Sequence, residues 1–377
     1  MGDGDRPAAK GCRFGMNRLA RRIAATIAAS GPISVADYMA TCLFDPQDGY
    51  YATREPFGVA GDFTTAPEIS QMFGEIVAVF LLSAWRGAGS PSPLALAEIG
   101  PGRGTLMQDM LRTLARVSPD LLQGATVALV ESSPRLTEVQ RKTLSAAAAQ
   151  PEWHDRIGTL AKQPLFIVGN ELFDAIPTRQ YVKTPSGWHE RMVALDADGR
   201  LVFVAGPGAP DPSLLPPGWK SAPENAIAEI APTRSALIDE IAARIAKSGG
   251  VGLFIDYGHA ESGLGDTLQA VRAHAYDGVL DHPGEADLTS HVDFAALASE
   301  ARRHGLETGL LTQGDFLLRM GLLERAGRLG QNAAEPQRDA IRAAVERLAG
   351  PEQMGRLFKV LCIAPRGLLP FPFVASD

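Results

Sequence analysis

Cysteine is scarce in this chain of 377 residues. The three cysteines, Cys12, Cys42 and Cys362, lie far apart, and no two of them form a CxxC pair. This spacing argues against a zinc site and a disulfide framework, and it favours a reducing compartment. No pair of histidines has the His-x-x-x-His spacing of a helical zinc motif, so we expect no metal site.

Long apolar runs and an excess of positive charge are also missing. The longest apolar stretch covers residues 76–82, well short of the about 20 residues that a membrane helix needs, so we expect no membrane insertion. The formal net charge is −7 and the pI is near 5.6, which argues against nucleic acid as a main partner. Hydrophobic residues make up 45% of the chain, enough for the core of a soluble α/β enzyme.

The most informative stretch is an apolar run over residues 94–99 that breaks into the alternating glycines Gly100, Gly102 and Gly104. The apolar run suits a buried parallel strand, and glycine lets the backbone turn tightly and approach a ligand. Apolar residues then recur at helical spacing between Leu106 and Val117. A glycine turn between a strand and a helix is a typical nucleotide-binding position.

The spacing within this turn favours S-adenosylmethionine over a dinucleotide. A dinucleotide motif reads G-x-G-x-x-G, whereas this turn reads G-x-G-x-G, and Pro101 removes one donor that a phosphate would use. Glu98 is placed to attract the cofactor's ammonium, and Glu131 ends the next strand, where it can accept hydrogen bonds from both ribose hydroxyls. The alternative is a glycine turn that serves only helix packing. We predict these cofactor-binding residues: Glu98, Gly100, Gly102, Gly104, Glu131 and Ser132.

Strand and helix patterns alternate along the chain, which predicts an α/β fold with a parallel sheet. The sequence predicts helices over 18–29, 35–43 and 67–86, and core strands over 94–99, 126–131, 165–168, 251–255 and 357–363. Short antiparallel strands over 179–182, 188–193 and 201–204, followed by a helix near 226–246, predict an insertion beside the active face.

These patterns divide the chain into four parts. We predict a disordered leader over residues 1–15, with Met16 as a possible start, and a helical N-terminal region over 16–92. The catalytic core follows over 93–365, with its insertion at about 175–250, and a tail covers 366–377.

A second group of chemical residues follows the predicted strand over 165–168. Asn170, Glu171 and Asp174 lie in a segment whose strand is adjacent to the glycine-turn strand, so we predict them as catalytic residues, with Asn170 also near the cofactor. If the acceptor is a guanidinium, Glu171 and Asp174 can hold it through bidentate hydrogen bonds. The alternative is that Asn170 and Asp174 cap a turn and Glu171 is merely solvated.

Two further stretches contain polar residues in loops. Residues 58–68 place Thr64 and Thr65 beside glycines and an aromatic residue, which predicts a lid that closes on the cofactor or, equally, a simple helix-capping loop. We expect His259, His282 and His291 to anchor loops through hydrogen bonds.

Four ordered blocks, residues 61–68, 98–104, 169–177 and 284–294, together resemble the MidA family, to which the mitochondrial complex I assembly methyltransferase belongs. The similarity spans roughly residues 16–365. It implies a class I methyltransferase fold, which is a Rossmann-like, mostly parallel seven-stranded sheet with helical and antiparallel additions. It also implies S-adenosylmethionine as cofactor and Thr64 and Thr65 among its contacts.

The resemblance further implies a protein substrate. The expected acceptor is an arginine on the respiratory NADH dehydrogenase subunit equivalent to the mitochondrial 49-kilodalton component, whose methylation aids complex I assembly. The composition, rich in alanine, arginine and glycine, indicates a bacterial, cytoplasmic member, whereas a eukaryotic member would act in the mitochondrial matrix. A homo-oligomer is possible. Two alternatives stay open, a non-catalytic assembly factor that binds S-adenosylmethionine and an NAD-dependent oxidoreductase.

Overall fold

A computed structural model describes residues 16–54 and 64–373 of the protein. The predicted leader, most of the predicted lid loop and the end of the predicted tail lie outside the described residues. None of the helices in the described ranges has the length and apolar character that crossing a bilayer requires.

The N-terminal region is largely helical, as the sequence predicts. It contains α1 (Arg18–Ser30), β1 (Ile33–Ser34), α2 (Val35–Phe44), α3 (Tyr50–Thr53), α4 (Ala66–Ile69) and α5 (Gln71–Gly87). The prediction of one helix over 67–86 is wrong, because Ser70 takes an extended conformation between α4 and α5. Its hydroxyl accepts the N–H of Met72 at 3.2 Å and thereby caps a new helix.

The first half of the core alternates strands and helices. Its elements are β2 (Leu94–Ile99), α6 (Thr105–Val117), α7 (Pro119–Gly124), β3 (Ala125–Val130), α8 (Pro134–Thr143), β4 (Glu152–His154) and β5 (Leu165–Asn170). The insertion follows with β6 (Arg179–Thr184), β7 (Gly187–Leu195), β8 (Leu201–Ala205), β9 (Ile227–Ile230) and α9 (Pro232–Ser248).

The remaining elements complete the core. They are β10 (Gly250–His259), β11 (Gln269–Arg272), β12 (Ala275–Asp277), β13 (Asp287–Thr289), β14 (Val292–Asp293), α10 (Phe294–Arg303), β15 (Glu307–Thr312), α11 (Gln313–Arg319), α12 (Leu322–Gly330), α13 (Glu335–Ala349), α14 (Met354–Leu357) and β16 (Phe358–Ala364).

The central sheet has the strand order β15-β16-β10-β5-β2-β3-β4, and the short β14 pairs with β10 outside this path. Strands β2, β3, β4, β5 and β10 run parallel, while β16 is antiparallel to both of its neighbours. The predicted mostly parallel α/β sheet is therefore confirmed. Because parallel strands end at the same edge, the segments that follow β2, β3, β5 and β10 meet there.

The insertion forms a separate antiparallel sheet of order β1-β7-β6-β9, with β8 on β7. The N-terminal region contributes β1 to this sheet, which the sequence did not indicate. The prediction of a helix from about residue 226 is wrong at its start. Residues Ile227–Ile230 pair with β6, and the helix begins only at Pro232, a favoured first helical residue.

Apolar residues fill both faces of the central sheet. One face packs against α5, α6 and α11–α14, and the other packs against α9 and α10. A third cluster joins α1 and α2 to the insertion. Cys42 on α2 and Cys362 in β16 are both fully buried. Burial raises the pKa of the Cys42 thiol to about 12 and that of Cys362 well above its usual range.

Candidate functional site

A cavity of about 410 Å³ lies at the edge of the central sheet where the parallel strands end. It brings together most of the site residues predicted from the sequence: Thr65, Glu98, Gly100, Gly102, Glu131, Ser132, Asn170, Glu171 and Asp174. Thr64 and Gly104 adjoin it without lining it. The predicted cofactor residues and the predicted catalytic residues thus surround one space.

The glycine turn has a backbone that other residues rarely adopt. Gly100, Gly102 and Gly104 have φ angles of +65°, +52° and +84°. A Cβ on Gly100 would lie 2.8 Å from Cδ1 of Leu172, so glycine is also needed there for packing. Gly104 directly precedes α6, and its N–H donates to the carbonyl of Pro101 at 2.7 Å.

Glu131 is oriented by residues that sequence reasoning missed. Oε2 of Glu131 accepts from Nε2 of Gln140 at 3.0 Å, and Oε1 accepts the N–H of Ser133 at 2.7 Å. The same Gln140 amide donates to the carbonyl of Gly102 at 2.9 Å, and Trp153 donates to its oxygen at 3.0 Å. The buried Gln140 side chain therefore links the glycine turn to the second carboxylate.

Glu98 is a buried carboxylate with spare hydrogen-bonding capacity. Only 2% of its surface is exposed, and its Oε2 has no hydrogen-bond partner within the described residues. Burial raises its pKa well above the usual range, and the backbone N–H of Met107 offsets this only in part. An unpaired buried acceptor that lines a cavity suits an ammonium or N–H donor of a ligand.

The end of β4 adds a wall that the sequence analysis did not identify. Asp155, Arg156 and Ile157 follow this strand and line the cavity beside Glu131. The strand has three residues and pairs only with β3. A strand this short has too few residues to show the alternating pattern of a strand, so the sequence does not predict it.

The segment after β5 places two carboxylates at the other side of the cavity. Oε1 of Glu171 accepts from Nδ2 of Asn170 and from the N–H of Ala66, each at 3.0 Å. Burial raises the pKa of Glu171 to about 7, and the nearby Asp174 adds to this rise. Oδ1 of Asn170 is buried and unpartnered within the described chain, which leaves an acceptor beside Glu171.

Side chains of the N-terminal region close the cavity. The rings of Phe44 and Tyr51 stack with their centroids 5.7 Å apart, and both line the cavity. Glu68 of α4 accepts a hydrogen bond of 2.6 Å from the hydroxyl of Thr105, the first residue of α6. Thr65 precedes α4 without a side-chain cap hydrogen bond. The N-terminal region therefore contacts both the start of α6, next to the glycine turn, and the segment predicted to be catalytic.

The histidines singled out in the sequence lie in loop contacts. Nδ1 of His259 pairs with the carbonyl of Val292 at 3.2 Å, and Nδ1 of His282 pairs with Asp277 at 2.7 Å. The ring of His291 lies edge-on to Tyr257 at 5.5 Å. The hydrogen bonds of His259 and His282 agree with the expected anchoring role, whereas the His291 side chain makes a ring contact instead.

Comparisons with known proteins show similarity along most of the chain. Residues 76–311 match the family model described as S-adenosyl-L-methionine-dependent methyltransferase. The chain is 33% identical to the "Protein arginine methyltransferase NDUFAF7, mitochondrial" of Danio rerio, over 91% of this chain and 86% of that protein. It is 35% identical to the Drosophila melanogaster homologue of that name, over 93% of this chain and 86% of that protein.

Solved structures show the same relationship. A protein from Burkholderia thailandensis, crystallised with bound S-adenosyl-homocysteine, is 29% identical and has a TM-score of 0.78. The similarity covers 92% of this chain and 91% of that one. A native crystal structure from the same organism has a TM-score of 0.76 at 28% identity, with the same coverage.

Proposed function

Because the chain belongs to the MidA-like family of S-adenosylmethionine-dependent methyltransferases, we propose that it methylates an arginine side chain of a partner protein. S-adenosylmethionine is its cofactor, and when bound it supplies an electrophilic methyl group. The family assignment does not support the NAD-dependent alternative. Several relatives carry the name of protein arginine methyltransferases, which supports arginine as the acceptor.

The cavity contains groups that fit the ribose and the ammonium of this cofactor. In our proposal Glu131 and Ser132 bind the ribose hydroxyls, with Gln140 fixing the carboxylate. The unpaired oxygen of Glu98 receives the ammonium directly or through water. The left-handed glycine turn brings backbone close to the ligand without a Cβ in the way.

The observation that carries the proposal is the group of acceptors at the other side of the same cavity. A guanidinium has five N–H donors, no acceptor, and a charge at any physiological pH. The carboxylates of Glu171 and Asp174 and the unpaired Oδ1 of Asn170 supply acceptors for such a group, beside the ring of Tyr51. Two carboxylates holding two nitrogens would leave the third aligned for transfer.

Glu171 can also manage the proton that the reaction releases. The attacking nitrogen forms a bond to the methyl carbon, whose bond to the cofactor's sulfur breaks with the electron pair staying on sulfur, and the nitrogen gives up one proton. With a pKa of about 7, the Glu171 carboxylate is poised to take that proton near neutral pH. The charged form of Glu171 is therefore the form that binds the acceptor and receives its proton.

We propose the NADH dehydrogenase subunit equivalent to the mitochondrial 49-kilodalton component as the acceptor protein, in the bacterial cytoplasm. Mass spectrometry of that subunit tests this assignment in cells with the gene, without it, and with a Glu171→Gln copy. We expect arginine methylation only with the wild-type copy, because Gln keeps the shape and removes the charge. Turnover of purified Glu171→Gln should fall about 100-fold or more.

Glu138→Gln is the matched control, since Glu138 is exposed and pairs with Arg141 on the surface. A gene copy with Glu138→Gln should restore arginine methylation of the subunit fully. Methylation that persists without the gene would contradict the acceptor assignment. Cofactor binding without methylation of any arginine would favour the non-catalytic assembly factor.

A further inference from the structure

The turn over residues 171–174 rests on a buried carboxylate that is distant in sequence. Asp256 directly follows Ile255, the last β10 residue that pairs with β5, and is fully buried. Its Oδ2 accepts three consecutive backbone N–H groups at 3.1, 2.8 and 3.2 Å, those of Leu172, Phe173 and Asp174. Its Oδ1 accepts the N–H of Tyr257 at 2.9 Å. Both oxygens of Asp256 are thus engaged with backbone.

A buried arginine holds the other side of the same segment. Arg234 on α9 is 4% exposed. It donates to the carbonyls of Asp174 at 3.1 Å and Ile176 at 3.0 Å. It also donates to the carbonyl of His291 at 2.9 Å and to the hydroxyl of Ser290. Within the described ranges, no carboxylate forms an ion pair with Arg234. Peptide groups of the 172–176 segment lie between its guanidinium and the Asp256 carboxyl group.

We propose that Asp256 and Arg234 are a pair of positioning residues that hold the 171–174 turn from its amide side and its carbonyl side, and so aim the Glu171 carboxylate into the cavity. This inference rests on the proposed function of Glu171. Neither residue is placed to touch the substrate, because their polar atoms already form hydrogen bonds with backbone groups and with Ser290. We refer to the two side chains as the clamp.

The backbone of Glu171 shows why a clamp is needed. Its φ angle is +50°, a left-handed conformation that a residue with a Cβ seldom adopts. Such a conformation persists only when the surroundings fix it from several sides. The N–H of Glu171 donates to the carbonyl of Ile255 at 2.8 Å, next to Asp256. The clamp fixes the residues that follow.

The clamp also sets the electrostatic surroundings of the catalytic carboxylates. Burial and the nearby Asp174 and Glu171 raise the pKa of Asp256 well above its usual range. The positive charge of Arg234 offsets part of the rise that burial causes in the pKa of Asp174. Other charged or titratable groups near the two carboxylates include Arg347 of α13, Tyr51 of α3 and Tyr257 of β10. Loss of the Arg234 charge should therefore raise the pKa of Asp174.

Three purified variants test the clamp: Asp256→Asn, Arg234→Gln and the control Arg244→Gln. Arg244 lies on the same helix and likewise donates to backbone carbonyls, those of Ile157, Leu160 and Ala161. We expect faster hydrogen exchange at the amides of residues 172–174 in both clamp variants and no change in the control. We expect kcat to fall about a hundredfold in the clamp variants, with cofactor affinity within about twofold.

The pH profile separates positioning from a general structural role. The acidic limb of kcat/KM should move to higher pH in Arg234→Gln, because Asp174 then ionises only at higher pH, and it should stay in place in Arg244→Gln. If Arg234→Gln does not fold, Arg234→Lys keeps the charge and loses the forked geometry. In that variant the amides of residues 172–174 should exchange faster, while the acidic limb of kcat/KM stays in place.

Two results would overturn the clamp: unchanged protection of residues 172–174 in the clamp variants, or an acidic limb in Arg234→Gln that does not move to higher pH. The proposed function fails separately, when wild-type protein methylates no arginine. The exchange measurement still decides the clamp in that case, since it needs no acceptor.

Discussion

At the scale of single residues, Glu131 differs from Glu98 because each of its oxygens already has a donor, whereas Oε2 of Glu98 has none within the described residues. Burial raises its pKa, while Ser133 and Gln140 offset part of that rise. A carboxylate oxygen can accept more than one hydrogen bond, so both oxygens remain usable by a ligand. Its geometry is therefore fixed before any ligand arrives, which reduces the ordering cost of binding.

Glu131→Gln should weaken binding of S-adenosyl-homocysteine by about tenfold to a hundredfold. A hydrogen bond to a charged acceptor contributes about 1.5–3 kcal/mol, and the Gln amide would also face the Gln140 donor. Calorimetry on the wild type, Glu131→Gln and the surface control Glu138→Gln measures this. Equal affinity in all three would remove Glu131 from the binding site.

At the scale of elements, the short helix α4 connects the two halves of the cavity. The N–H of Ala66, its first residue, donates to Glu171, and Glu68 accepts from Thr105 at the start of α6. The insertion contributes much less. Of its residues, Ala175, Ile176, Leu237 and Glu240 line the cavity, and none belongs to its antiparallel strands. The insertion therefore reaches the cavity only through α9 and the segment before β6, among the described residues.

Ala66→Pro isolates the contribution of α4. Proline suits the first position of a helix but has no N–H, and its ring would face the Glu171 carboxylate. The donated hydrogen bond lowers the pKa of Glu171, so its loss should raise that pKa above about 7. In our proposal methyl transfer needs the charged form of Glu171, so it should then require higher pH.

The matched control is Ala66→Gly, which keeps the N–H. The pH at half-maximal kcat/KM should rise in Ala66→Pro and remain at the wild-type value in Ala66→Gly. A profile that is identical in all three proteins would show that α4 does not act on Glu171.

At the scale of the whole molecule, the sequence predicted what local patterns determine. The glycine turn and Glu131 could be found because strand, turn, helix and strand follow each other directly. Asp256 and Arg234 could not be assigned, since Asp256 binds a residue 84 positions away and nothing near it in the sequence marks that contact. The residues around Ser70 fit the helical period, which predicts one continuous helix. The Ser70 hydroxyl instead caps α5, so the helix is interrupted at this residue.

The rates at which a reagent labels the two buried thiols report how easily different parts of the molecule open. Cys42 lies on α2, outside the central sheet, whereas Cys362 lies in β16 between β10 and β15. A thiol reagent reaches a buried cysteine only when the surrounding structure opens, and a peripheral helix opens at lower free energy than a central strand. In a Cys12→Ser protein, Cys42 should therefore be labelled faster than Cys362.

Saturating S-adenosyl-homocysteine should slow the labelling of Cys362, because ligand at 100 times its Kd adds about 2.7 kcal/mol against global unfolding. Mass spectrometry of quenched samples gives both rates, and labelling of the two thiols at one shared rate would mean that α2 and the sheet open only together.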